Sequence, residues 1–238
     1  MEKHKIFCTT LLLLVISICS YSAERTKDSV ATIKINAKEF KDRTWWYMPG
    51  ITITIDTIKL DSNGQGVISM PVKKITFVFF DANDSPPSTL FLEPGYDMVF
   101  SVVKGEASFS GKGSVVNNFL LKSKMLLRQL MDSIKTIEDP LTGIDKFIRL
   151  SDHYEAELES LYKKYYNNIL PGKEVDYLLR TNMRASVLLK KEEYLSNFEQ
   201  KEIDSLDLES KLGLTVNNLL NDTLLIKFPS SSFTAYLR

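Results

Sequence analysis

The chain has 238 residues, of which 44% are hydrophobic, and 30 Lys and Arg balance 30 Asp and Glu, so the formal net charge at pH 7 is zero. The hydrophobic share excludes an intrinsically disordered chain. The even balance, with no stretch rich in one sign, argues against a nucleic-acid partner, because phosphates require a basic face.

The first two dozen residues have the pattern of an export signal. Two lysines give a basic start, and an apolar run follows over residues 6–19. The run is shorter than the roughly 20 apolar residues that a spanning helix needs. We therefore predict a signal peptide over residues 1–22, cleaved after Ser22, and no transmembrane span in the mature chain. Lipidation of Cys19 is the alternative, although the large Ile18 precedes it.

Cleavage after Ser22 would remove both cysteines, Cys8 and Cys19, and would leave His153 as the single histidine. Such a mature chain has no residues for a disulfide, a thiol nucleophile, a Cys-x-x-Cys pair or a multi-histidine metal site. We expect an exported protein of the periplasm or cell envelope with no catalytic residues, no cofactor and no metal.

The first part of the mature chain has the period of β-strands. Apolar and polar residues alternate from Val30 to about Phe109, with Gly, Pro, Asn and Asp clusters between the runs, which predicts antiparallel strands. One of these strands is expected through Ile51, Ile53 and Ile55. Six or seven strands fit, as a sandwich or an open barrel, in a β-rich domain over residues 23–112.

Two segments of this domain have more specific signals. Residues 61–66 (DSNGQG) are typical of a tight hairpin turn, because Asn and Gly tolerate positive φ. The nearly continuous apolar run over residues 75–80 predicts a central strand that is buried on both faces, followed by a loop to Pro87.

After Ser114 the period becomes helical. The sequence predicts one helix up to Asp139, a second with Leu150, Tyr154, Leu158, Leu161 and Tyr165 on its buried face, and a third over residues 174–199. We expect an antiparallel helical domain over residues 113–238. Fold class is therefore α+β.

The segment Gly111-Lys112-Gly113-Ser114 resembles a phosphate-binding loop only in part. The preceding Gly105 is one residue too far away, and Gly113 stands where such a loop needs Ser or Thr after the lysine. We predict a strand-to-helix joint in which the glycines turn the chain and Ser114 caps the helix.

Other candidate sites are weak. Asp61, Asn63 and Gln65 match the start of a calcium loop, but Val72 occupies the position of the bidentate glutamate. Nearby Asp81, Asn83 and Asp84 lie in an ordinary proline-containing loop. His153 lies beside the apolar face of the second helix and is interpreted as a surface residue.

One aromatic cluster is a candidate binding patch. Trp45, Trp46 and Tyr47 are adjacent, and exposed aromatics can stack on sugars or on partner side chains. Because neighbouring strand residues point to opposite faces, at least one of the two tryptophans is expected in the core.

Three segments together resemble the amino-terminal half of exported TlpA/ResA-like thioredoxin-fold proteins. They are residues 55–64 (IDTIKLDSNG), 91–97 (FLEPGYD) and 109–120 (FSGKGSVVNNFL). The resemblance covers roughly residues 33–130 and implies a β-rich domain that leads into helices. In that family a thioredoxin domain follows, whereas this chain stops at Arg238, so no catalytic residue of the family can be transferred to it.

The sequence therefore favours an exported, non-catalytic accessory domain that holds another envelope protein. One alternative is a truncated thiol-disulfide oxidoreductase whose redox domain is missing. The other is a glycan- or peptide-binding envelope module that uses Trp45, Trp46 and Tyr47.

Overall fold

A computed structural model describes residues 30–49, 55–81, 88–167 and 171–214. The predicted signal peptide, Cys19, Ile51, Ile53 and the loop that ends at Pro87 lie outside the described residues. The described chain is α+β, with a β-rich part followed by helices, as the periodicity predicts.

The strands and helices follow one another without mixing. The strands are β1 (Val30–Asn36), β2 (Thr44–Pro49), β3 (Asp56–Lys59), β4 (Gln65–Pro71), β5 (Thr76–Asp81), β6 (Ser88–Leu92), β7 (Asp97–Val103) and β8 (Glu106–Lys112). The helices are α1 (Ser114–Ile134), α2 (Ile144–Tyr166), α3 (Lys173–Leu195), α4 (Gln200–Leu206) and α5 (Leu208–Lys211).

The strands form two four-stranded sheets. Sheet A has the order β4-β1-β7-β8, and sheet B has the order β3-β2-β5-β6. The ring of Trp45 in sheet B lies 6.2 Å from that of Phe100 in sheet A, so the two inner faces share a core. Since no ladder joins the two sheets among the described strands, the arrangement is a sandwich rather than a barrel.

One strand pair departs from the antiparallel prediction. Strand β1 runs parallel to β7, with Ile33 opposite Met98, whereas every other ladder between described strands is antiparallel. Period two shows which face of a strand is buried but not its direction. The two strands are joined by a long route through both sheets, so they need not run antiparallel as the strands of a hairpin do.

The turn after β3 is present, but it is not a hairpin. The Oδ1 atom of Asp61 accepts the N–H groups of Asn63 and Gln65, both at 2.8 Å, and Gly64 adopts φ of 71°. The turn connects β3 of sheet B to β4 of sheet A. Local turn chemistry predicted the bend correctly, while the hairpin prediction was wrong because the two strands pair with other partners.

Strand β5 has the central position that its apolar run predicts. It lies between β2 and β6, and the neighbouring residues Phe77 and Val78 are 5% and 0% exposed although they point to opposite faces. Both faces of β5 are therefore covered at these residues.

Helix α2 packs between α1 and α3. Tyr154 and Leu158 are buried as predicted, but Phe147 and Tyr162 are also buried and were missed. A helix with neighbours on two sides buries a wider sector than one apolar stripe.

A single core cluster extends from both sheets into α1, α2 and α3, so the change from strands to helices at residue 113 occurs inside a shared core.

A second, smaller cluster lies at the other end of the helices. It contains Phe147, Tyr194 and Leu212. The rings of Phe147 and Tyr194 stack with their centroids 3.8 Å apart, and the Tyr194 hydroxyl donates to the carbonyl of Pro140 at 2.6 Å. This contact ties the loop before α2 to the last turn of α3.

The joint between β8 and α1 depends on glycine. Gly113 is the N-cap of α1 with φ of 100°, and a Cβ there would lie 2.2 Å from the ring of Tyr96. Ser114 is the first residue of α1, and no side chain caps the helix. The prediction that Ser114 is the cap was therefore wrong, because the left-handed glycine shifts the helix start by one residue.

Candidate functional site

The aromatic cluster of β2 does not form one surface. Trp45 is 0% exposed and faces sheet A, whereas Trp46 is half-buried and points to the opposite side of sheet B. Tyr47 is half-buried and packs against the core on the same side as Trp45. Its pKa is raised, first by burial and then by Asp56. A binding patch on this strand would have Trp46 as its aromatic residue, without Trp45.

The glycines of the joint at residues 111–114 serve close packing. A Cβ on Gly111 would lie 2.4 Å from the carbonyl oxygen of Asp97, and one on Gly113 would meet Tyr96. The backbone group that approaches Gly111 is thus a carbonyl acceptor on the neighbouring strand, and both glycines have a structural role that is independent of any anion.

The other candidate residues remain apart from one another. His153 is exposed on α2, and Asp61 uses its carboxylate to hold the turn after β3. Within residues 30–49, 55–81, 88–167 and 171–214, no group of three or more His, Cys, Asp or Glu side chains is arranged to hold a metal ion.

Two asparagines at the start of α1 fix the helix to both sheets. The amide of Asn117 accepts the N–H of Phe91 at 2.8 Å and donates to its carbonyl at 2.9 Å. Asn118 makes the same pair of bonds with Phe109, at 2.8 and 2.7 Å. Phe91 lies in β6 and Phe109 in β8, the outermost strands of their sheets. The helices are therefore held in a fixed position on the sandwich.

A groove of about 470 Å³ opens between α2 and α3. Its floor contains the apolar side chains of Leu158, Met183 and Val187, which are 1%, 8% and 5% exposed. The wall from α2 is acidic and the wall from α3 is basic. The charged wall residues are Asp152, Glu155 and Glu159 on α2, and Arg180 and Arg184 on α3.

One end of the groove is closed by a network around Arg180. Its guanidinium contacts Asp176 at 3.0 Å and Glu159 at 3.7 Å, and lies over the ring of Tyr162 with 4.3 Å to the centroid. The Tyr162 hydroxyl donates a short hydrogen bond to Asp176. Burial, followed by this bond, raises the pKa of Tyr162 to about 12. These contacts bridge α2 and α3.

The other end of the groove is open. Tyr154 and Ser186 meet at 3.3 Å, and Glu159 and Arg180 meet about one and a half turns away, so the antiparallel helices place Glu155 level with Arg184. Both side chains are exposed, as is Asp152. No ion pair joins any of these three charges to another described residue. The open end thus presents charges of opposite sign on facing walls, and these form no ion pair within the described part of the chain.

Sequence reasoning missed this groove, because it interpreted the charges of the helices as a solvated face. The signal was present in part. Asp152, Glu155 and Glu159 recur at helical spacing, as do Arg180 and Arg184, and each set lies on one face of its helix. What the pattern could not show was that the two faces adjoin.

The groove suits the binding of a macromolecule better than catalysis at a single position, since its charges line two walls and do not converge on one atom.

None of the described helices is both long and apolar enough to cross a membrane. No protein-family profile and no curated protein sequence matches this chain.

Proposed function

We propose that this protein is an exported, non-catalytic interaction module that holds another envelope protein in the groove between α2 and α3. The observation that carries the proposal is the groove itself, with an apolar floor between an acidic and a basic wall. Opposite charges on two walls select the orientation of a partner and exclude partners with the wrong charges.

The resemblance to the amino-terminal half of TlpA/ResA-like proteins supports the same role. A β-rich domain that leads into helices is present, and Asn117 and Asn118 hold the two parts together. A rigid body of this kind can position a bound partner. We propose that the partner carries the activity, for example as a redox domain in another chain.

Site-specific photo-crosslinking in the cell envelope tests this proposal. A photoreactive residue replaces Ala156, which lines the groove and is exposed, and in a second strain it replaces Glu157. Glu157 is the matched control because it is exposed on the same helix but points away from the groove. We expect a discrete protein adduct from position 156 and a much weaker one from position 157.

The adducts are identified by mass spectrometry. The proposal is contradicted if position 156 gives no adduct, or if both positions give the same set of adducts, because the groove would then have no preferred partner.

A further inference from the structure

We infer that the partner segment in the groove is an amphipathic helix with basic side chains along one edge and acidic side chains along the other. The helix would complete a three-helix arrangement with α2 and α3. This inference rests on the proposed function, since it specifies the partner of the same groove.

The shape of the groove favours a helix. Its α2 wall extends from Asp152 to Glu159, which corresponds to about 10 Å or two helical turns. Two antiparallel helices leave between them a concave surface into which the side-chain ridge of a third helix fits. A partner helix would place apolar residues, spaced i, i+3, i+4 and i+7, over Leu158, Met183 and Val187.

An extended strand would fit less well. The walls and floor of the groove consist of side chains from two helices, whose interior backbone groups are already bonded within the helix. An extended segment would find no free backbone edge to pair with. A partner that satisfies its own backbone groups is required, and a helix does so.

Charge specifies the two edges of the partner helix. At the open end, Asp152 and Glu155 face Arg184 across the groove, and these charges have no described ion-pair partner. Basic residues on one edge of an inserted helix would reach the α2 wall, and acidic residues on the other edge would reach Arg184. At the closed end, the contact of Glu159 with Arg180 spans the groove and limits the inserted length.

A second copy of this chain that docks groove to groove is a poorer occupant. It would present the same concave face, and two grooves that face each other would leave their space unfilled. A convex helix fills that space, and dense packing is what stabilises an interface core.

A designed peptide provides the probe. It is a capped helix of about 18 residues with leucines at i, i+3, i+4 and i+7, lysines along one edge and glutamates along the other. A peptide with its two charged edges exchanged could still bind by lying in the groove in the opposite direction, so it would not be a useful control. The comparison peptide therefore carries glutamate on both edges. Fluorescence anisotropy of labelled peptides is measured with the full chain after the predicted cleavage site.

We expect saturable binding of the mixed-edge peptide and at least about five-fold weaker binding of the glutamate-only peptide. Binding should also weaken as the salt concentration rises from about 50 mM to about 500 mM, because exposed charge pairs are screened.

Two charge reversals in the protein test the walls separately. Arg184→Glu and Glu155→Lys should each lower the affinity for the mixed-edge peptide about five-fold or more. The matched controls Lys164→Glu and Glu157→Lys make the same charge changes at exposed positions of α2 outside the groove and should leave the affinity within about two-fold. Circular dichroism of each variant confirms folding.

The inference is overturned if both peptides bind equally, if neither binds, or if the control variants weaken binding as much as the groove variants. An adduct at position 156 with the mass of two copies of this chain would also overturn it. If only the peptide experiments fail, a discrete adduct of position 156 with another protein would still support the groove as an interaction site, so the two proposals can fail separately.

Discussion

Asn117 and Asn118 act at the sheet edges as an additional strand would. An unpaired strand edge invites association with other chains, and here each side-chain amide accepts and donates as a peptide group does. The two residues differ in burial, because Asn117 is 1% exposed and Asn118 is half-buried. That difference allows their energetic roles to be separated.

Asn117→Ala should destabilise the protein more than Asn118→Ala. The first change leaves the N–H and carbonyl of Phe91 buried without partners, which costs about 2–4 kcal/mol, whereas water can replace the second amide at a cost of about 1 kcal/mol. Urea unfolding monitored by tryptophan fluorescence measures both values. Equal losses would show that the burial of Asn117 does not matter.

Buried tyrosines make stability depend on alkaline pH. Burial is the main cause of a raised pKa in seven described tyrosines, which are Tyr47, Tyr96, Tyr154, Tyr162, Tyr165, Tyr166 and Tyr194. A pKa that folding raises favours the neutral, folded form. The stabilisation is therefore complete below about pH 10 and is lost as the pH rises through the folded-state values.

Tyr162→Phe should remove part of this dependence. The pKa of Tyr162 is raised from 10.0 to about 12. Between these pH values, the unfolding free energy of the variant should fall less steeply with pH than that of the unmutated protein, because the variant releases up to about one proton fewer on unfolding. Urea unfolding at a series of pH values gives the slopes. Tyr177→Phe is the control, because Tyr177 is 39% exposed on α3. If both variants change the slope equally, the shift at Tyr162 is not the cause.

At the scale of elements, periodicity predicted a β-rich part, the three long helices and the buried central strand β5, although it indicated six or seven strands where eight are described. It did not predict pairing. The connection made by the turn before β4 and the parallel partner of β1 both depend on which strands meet in space. The local sequence of a strand or turn does not show which strands those are. Phe147 and Tyr162 were missed for a similar reason. The sequence of α2 does not show that other helices pack on two of its sides.

The β-rich part should need α1 in order to stay soluble. A chain that ends at Lys112 would expose the edges of β6 and β8 that Asn117 and Asn118 now satisfy. A chain that ends at Ile134 retains both asparagines. We expect light scattering to show aggregates of the shorter chain and a larger soluble fraction of the longer one. Equal solubility would mean that the edges are harmless without the helix.

At the scale of the whole molecule, the zero net charge conceals a local separation of charge. Composition predicted that no long-range field would attract nucleic acid, but the groove brings an acidic face of α2 beside a basic face of α3. The candidate site was unpredictable for the same reason as the strand pairing. Both result from elements that are far apart in sequence and adjacent in the fold.

The two apolar clusters should respond separately to mutation. Leu212→Ala affects the cluster of Phe147 and Tyr194, and Phe119→Ala affects the rings of Tyr162 and Tyr166 in the main core. Each change removes a fully packed side chain at a cost of about 2–5 kcal/mol. Hydrogen exchange should accelerate only at the distal ends of the helices for Leu212→Ala, and throughout the sandwich for Phe119→Ala. Uniform acceleration in both variants would indicate one cooperative unit.

The parallel pairing of β1 with β7 has a kinetic consequence. The first strand of the sandwich lies in the middle of sheet A, between β4 and β7, so its final partner is the seventh strand to be synthesised. Contacts between distant segments form slowly, because a long loop must close first. An emerging chain therefore cannot complete sheet A until β7 has been made, so the β-rich part stays incompletely folded for most of its synthesis. If the chain is exported, as we propose, such late closure would keep it competent for passage through a translocation channel.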